Sequence, residues 1–313
     1  MTITVAAGPY AHLAGLEAGN ARGGAPSADG LELRLETLEP GKIFPRMLRE
    51  APWDVAEMSL ATAYILAAKA DERLRAIPVF PSRAFRHSAL YVPAQSRVRS
   101  AADLRGARVG VLRYAMTTAV WVREMLGTQY QVPVDGLQWF VGEDSAHPAE
   151  VSPRIVGNAA TLERMAVEGE LDCLISGRTP AAFARKQLRR LFPEFGAEEK
   201  AYYAKSGVFP IMHVMVMRKS LTEREPGAVA KLLARFDGAK HAAEEGLSNF
   251  DISMYPLPWL PAYVEDARRQ VGENLWPYGV EPNRRTLEAF GNAMAREGLT
   301  ARPLRPEEVF AAA

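Results

Sequence analysis

Three side chains that carry or can carry positive charge, Arg83, Arg86 and His87, stand in the run SRAFRHS (82–88), between the apolar segments IPVF (77–80) and SALYV (88–92). With those segments read as strands, the charges fall where one strand ends and the next begins, a place where α/β proteins hold anions. An arginine fork meets a carboxylate at two points, which a lysine cannot do. In an extended chain Arg83 and Arg86 would point to opposite sides, so one of them is available for a structural role. His87 is open to two readings. It is either a satisfied core histidine or a proton donor, whose ordinary pKa range suits general acid work near neutrality.

Two further loops are suited to anions. In GVLRYAMTTAVW (110–121) a strand runs into a helix whose first turn offers free N–H groups, with the hydroxyls of Thr117 and Thr118 and the guanidinium of Arg113 nearby. In SGRTPAAFA (176–184), Gly177 permits a tight turn, Thr179 is a cap residue, Pro180 suits the first helical position, and Arg178 projects from the loop. Two polar residues are planted in apolar strands: Glu57 in WDVAEMSL, where a buried carboxyl needs a partner, and His213 in FPIMHVMVM. The bland readings are a helix-capping glutamate and a histidine satisfied by backbone. The remaining histidines, His12, His147 and His241, show no metal-ligand spacing, and no metal or other cofactor is expected. No GxSxG, GxxxxGK[ST] or strand-to-helix GxGxxG is present, which leaves serine hydrolase, P-loop and dinucleotide-binding readings without support. The single cysteine, Cys173, in LDCLIS, reads as a buried core thiol and excludes a disulfide framework.

The elements that must position these residues alternate. Strands are expected at 3–8, 31–38, 53–58, 77–80, 88–92, 108–112, 137–142, 171–176 and in the apolar run from 207, and helices at 42–50, 60–70, 117–126, 159–170, 180–192, 223–248, 259–271 and 282–297. This is an α/β pattern with mainly parallel sheets covered by helices. At 313 residues two lobes are expected: lobe 1 from residues 1–92 plus 207–313, and lobe 2 from 93–206, with hinges near 91–96 and 207–217 and a ligand cleft between them. The segment GNARGGAPSADG (19–30) reads as a flexible loop, and Trp276 and Tyr278 read as packing residues. A net charge of +1 gives no broad footprint for nucleic acid or an anionic membrane, and no apolar stretch approaches the about 18–20 residues of a membrane span. The start MTITVAAGPYAHL shows no basic region followed by a long apolar one, so a cytoplasmic location is expected.

The blocks WDVAEMSLATAYILA, IPVFPSRAFRHSALYV, DLRGARVGV, YAMTTAVWVREML, FPIMHVMVM and LWPYGVEPNRRTLEAF together resemble the 4,5-dihydroxyphthalate decarboxylase family, in the same order from the first strand to about residue 300. The resemblance implies a two-lobe fold like that of type II periplasmic binding proteins, and non-oxidative conversion of 4,5-dihydroxyphthalate to protocatechuate. A substrate with two adjacent carboxylates agrees with a site rich in arginine. Ring protonation at the carbon that loses its carboxylate needs an acid, a partner for the para hydroxyl, and cations for the retained carboxylate. On chemical grounds His87 is the expected acid and Glu57 the phenol partner. Arg83 with Arg86 or Arg178 would anchor the carboxylate, with Thr117, Thr118 and Arg113 as further contacts, and His213 as a further contact or, with Glu57, an alternative source of the proton. The alternatives are a solute-binding protein for an aromatic or other small organic anion, and another cytoplasmic enzyme on the same scaffold.

Overall fold

The computed structural model describes residues 1–19, 29–249, 251 and 255–312, and most of the loop expected at 19–30 lies outside them. Strand β1 (Thr2–Ala7) is buried along its apolar residues and pairs in parallel with β2 (Glu32–Thr37) on one side and β3 (Val55–Ser59) on the other. Helix α1 (Pro40–Arg49) links β2 to β3, and α2 (Leu60–Ala68) follows β3 directly. The Ser59 hydroxyl accepts from the Thr62 N–H at that junction, a side-chain cap that satisfies one of the helix's orphan donors. β4 (Leu74–Arg83) completes this stretch.

Next come β5 (Leu90–Pro93), β6 (Arg108–Val111), α3 (Thr117–Thr128), β7 (Gln138–Val141), β8 (Arg154–Ile155), α4 (Ala159–Val167), β9 (Cys173–Ile175), α5 (Ala181–Ala184), β10 (Leu188–Arg190) and α6 (Phe195–Ser206). The chain continues with β11 (Ile211–Arg218), α7 (Lys219–Arg224), α8 (Ala228–Leu247), α9 (Leu260–Val271), α10 (Arg284–Arg296) and α11 (Pro306–Val309).

The strands form two sheets, one in the order β2-β1-β3-β11-β4 and the other β10-β5-β9-β6-β7-β8. Each belongs to a compact unit. The first unit comprises Met1–Ser82, His213–Arg284 and Arg305–Ala313, and the second Arg83–Met212 and Arg285–Leu304. The division therefore falls inside β4 and β11, and most of α10 belongs to the second unit. In the first sheet β11 runs antiparallel to β3, with Met215 opposite Glu57 and His213 opposite Ser59. In the second, β6 is parallel to β7 and β9, whereas β5 is antiparallel to β9 and β10. Its core gathers Leu90, Val92, Val109, Val111, Val122, Trp139, Cys173 and Ile175. Cys173 is fully buried, and burial pushes its thiol up to about 12, the signature of an inert core thiol.

Several elements differ from the periodicity reading. The helix expected over 180–192 is one turn, Ala181–Ala184, followed by the short strand β10, because Leu188–Arg190 finds an edge partner in β5. Pro180 is the cap residue of that turn rather than its first helical residue, and no side chain caps it. The helix expected over 223–248 breaks into α7 and α8, since Glu225 precedes Pro226 and takes an extended φ of -137°. His87 does not head a strand but opens a 3-10 turn, His87–Ala89. Trp276 Nε1 donates to the Phe80 carbonyl at 2.7 Å, and the buried Tyr278 ring carries Lys240 Nζ 5.0 Å from its centroid, so both aromatics pack against the first unit.

Candidate active site

In the first unit the buried run VAEMS puts Glu57 in the middle of the sheet, with 0% of its surface exposed. Such a carboxyl group is tolerable only if its oxygens are fully engaged, and three donors engage them. Gly8 N–H donates to Oε2 at 2.7 Å, while the Tyr10 hydroxyl at 2.6 Å and His213 Nδ1 at 2.5 Å share Oε1. Tyr10 also lies 3.3 Å from His213 Nδ1. Burial, reinforced by the neighbouring Glu57, raises the Tyr10 phenol well above its ordinary range, which keeps it a donor. Gly8 is required by space: a Cβ there would stand 2.8 Å from the Tyr10 ring and 3.3 Å from Glu57 Oε2.

With a carboxyl oxygen as its partner, His213 Nδ1 must carry the hydrogen, which leaves Nε2 as the nitrogen available for proton exchange. The side chain of His213 is 24% exposed, and Phe44 meets its ring edge-on at 5.1 Å. A buried carboxyl group holding one nitrogen of a partly exposed imidazole is an arrangement for moving a proton at the other nitrogen. His12 sits beside this cluster, between the rings of Tyr10 and Trp276 at 5.4 and 5.5 Å. Burial pulls its pKa down to about 4, so it is a neutral packing residue that donates to the Pro81 carbonyl.

In the second unit the chemistry is cationic. Arg86 Nε donates to the thioether sulfur of Met212 at 2.9 Å, and the Thr118 hydroxyl approaches the same sulfur at 3.9 Å. Burial lowers the Arg86 pKa to about 10, which still leaves it charged at neutral pH. Thr117 and Thr118, both buried, form the first turn of α3, whose cap residue Met116 supplies no side-chain acceptor.

The other expected site residues are placed differently. His87 is 1% exposed and ringed by Tyr130, Phe192 and Tyr202, with Nε2 bonded to the Gln129 amide at 2.9 Å. Burial lowers its pKa, the environment of a neutral core histidine rather than an acid. Arg83 donates to the Phe209 carbonyl at 3.0 Å and lies 4.4 Å over that ring, on which Phe85 also stacks. Arg113 forms an exposed pair with Glu143, and Arg178 lies on an exposed loop. The structure thus joins Glu57 to His213 in one unit and Arg86 to Thr118 in the other. Gly8, Tyr10 and Met212 escape the spacing reading, although GPY directly after a parallel strand is where functional residues of α/β sheets collect. Among the described residues no group of three or more His, Cys, Asp or Glu is placed to hold a metal ion, and no helix is long and apolar enough to cross a membrane.

The fold is shared with periplasmic binding proteins. A periplasmic sulfonate-binding protein from Methylobacillus flagellatus KT superposes with a TM-score of 0.60 at 13% identity, covering 99% of this chain and 91% of its own. The aliphatic sulphonate binding protein from Escherichia coli gives a TM-score of 0.55 at 14% identity, covering 100% and 92%. The protein is therefore of the periplasmic-binding-protein-like α/β class. No family model matches the chain. Among characterised sequences, the 4,5-dihydroxyphthalate decarboxylase of Comamonas testosteroni is 32% identical over 322 aligned positions, covering 99% of this chain and 96% of the relative. The enzyme of the same name from Pseudomonas putida is 32% identical over 195, covering 59% and 74%. The chain belongs to the 4,5-dihydroxyphthalate decarboxylase family.

Proposed function

We propose that this protein is a non-oxidative carboxy-lyase that converts 4,5-dihydroxyphthalate to protocatechuate and carbon dioxide. The observation that carries the reading is the full-length likeness to the Comamonas testosteroni decarboxylase. The Glu57–His213 pair supplies the proton chemistry such a reaction needs.

The reaction takes up one proton for each carbon dioxide released. The proton adds to the ring carbon that bears the leaving carboxylate, helped by electron release from the hydroxyl para to it. The C–C bond then breaks, its electron pair returns to the ring, and aromaticity is restored. His213 delivers the proton from Nε2. Glu57 has both oxygens engaged by Gly8, Tyr10 and His213, so it acts on the imidazole and not on the phenol. It orients the ring by holding Nδ1, as the buried carboxylate of a catalytic triad does. His213 thereby takes the part expected of His87.

Within the second unit, Arg86 is better suited to receive a carboxylate than Arg83, which is committed to Phe209, or Arg178, which is exposed. An anchor on the retained group avoids the penalty of holding the leaving carboxylate as tightly in the ground state as in the transition state. The mechanism calls on no cofactor, and a cytoplasmic location goes with it, checked by cell fractionation.

The test is to mix chelator-treated protein with 4,5-dihydroxyphthalate and follow carbon dioxide together with the ultraviolet spectrum. Catalytic formation of protocatechuate is expected. Tight binding without turnover would replace the enzyme with a solute receptor, and neither binding nor turnover would mean a different substrate.

A further inference from the structure

Two arginines of the second unit differ in how their charge is answered. Arg123 donates through Nε to Glu297 Oε2 at 2.7 Å, donates to the Tyr114 carbonyl at 3.1 Å, and lies 4.0 Å over the Tyr114 ring. Among the described residues Arg86 has no such set of partners. Its Nε is held by a neutral thioether, and Glu199 acts on it only through space. A partly buried guanidinium with no carboxylate partner among the described residues is costly, and a bound anion relieves that cost.

The space in front of it is shaped by a glycine. A Cβ built on Gly177 would lie 3.7 Å from Arg86 Nη1 and 3.5 Å from Thr118 Oγ1, both ordinary contact distances. Gly177 has none of the left-handed φ angles found at other glycines of the chain, so its backbone would accept a side chain. What the missing side chain leaves is room beside Arg86 Nη1 and the Thr118 hydroxyl.

We propose that Arg86 is the seat for one carboxylate of the substrate, that Met212 is the positioning residue that holds the guanidinium without neutralising it, and that Gly177 determines specificity by keeping the approach to Nη1 open. This rests on the aromatic dicarboxylate reading above. A thioether is a weak acceptor with no formal charge, so it fixes the direction of Nε and leaves the terminal nitrogens their full charge for the ligand. A carboxylate at Nη1 makes a charge-assisted hydrogen bond, with the Thr118 hydroxyl as a second donor.

Phthalate, which lacks the electron-releasing hydroxyls, serves as a probe that binds without turning over, and calorimetry reads its affinity for the wild type and for variants. Met212→Leu keeps volume and removes the acceptor, and affinity is expected to fall about 10-fold. Met212→Gln returns an acceptor and is expected to recover most of that loss. Gly177→Ala is expected to weaken binding severalfold and Gly177→Val more than 10-fold, with thermal midpoints near the wild type. In turnover the loss falls mainly on KM, with kcat changing less. Wild-type protein that does not bind phthalate, or Gly177→Val and Met212→Leu variants that bind it within twofold of the wild type, would overturn the seat. Phthalate binding that shows these losses in a protein that does not decarboxylate 4,5-dihydroxyphthalate would uphold the seat and remove the decarboxylase reading instead.

Discussion

The surroundings of His213 in the first unit and of His87 in the second make opposite uses of one residue type. His213 has a buried carboxyl group on Nδ1 and keeps a quarter of its side chain exposed. His87 has an amide on Nε2, three aromatic rings around it and almost no exposure. A carboxylate partner fixes the direction of the imidazole ring, whereas burial in an apolar cage lowers the pKa of His87 and keeps it neutral. The same contrast separates Arg86, whose nearest partner is neutral, from Arg123, whose charge is matched by Glu297. Function follows the partner more than the residue.

Exchanging the histidines' fates gives the largest expected effect. His213→Gln should lower turnover about 1,000-fold with the fold intact, the loss of a general acid, and Glu57→Gln about 10- to 100-fold by releasing the ring. Steady-state kinetics beside circular dichroism checks this. Full turnover in His213→Gln, with turnover lost in His87→Gln, would invert the comparison.

The arginine contrast is tested by stability. Glu297→Ala strands the Arg123 charge in the core and should cost about 3–5 kcal/mol in denaturant unfolding. A change below about 1 kcal/mol would mean that Arg123 is not held by its charge partner.

A smaller effect comes from Asp54 in the first unit. Burial alone would push its pKa up, but the Thr4 N–H and hydroxyl with Arg218 and Arg224 outweigh this and hold it at about 2. Because the folded value lies below the unfolded one, the stabilisation is complete above about pH 4 and is lost as pH falls through about 2. Asp54→Asn should cost about 2 kcal/mol at neutral pH and flatten the acid limb of the stability curve. An unchanged acid limb would remove Asp54 from the account.

The smallest effect is assigned to His87→Gln, expected to cost about 1 kcal/mol of stability through altered packing and to leave turnover within a few-fold. A loss comparable to that of His213→Gln would return His87 to the chemistry.

Much of the fold was legible because burial imposes periods. The apolar runs at Ile3, Val55, Val109 and Ile211 mark strands that the structure contains, and TTAVWVREML marks α3. PAAFARKQLRRLF misled because its helical pattern yields to a partner, β5, far away in the sequence. Glu57 and His213 were visible as polar residues in apolar strands, but 156 positions separate them and only the β3–β11 pairing brings them together. Arg86 stood out in SRAFRHS, yet its neighbours Met212 and Gly177 lie outside that run and carry no motif of their own.

The sequence by itself determined the α/β class, the family, and the short list of ionisable residues, because hydrophobic period, motif order and residue type are local properties. The tertiary structure alone decided which histidine gains a carboxylate and which arginine is left without one. Those outcomes depend on burial and on contacts between distant segments, and these set protonation and charge at the site.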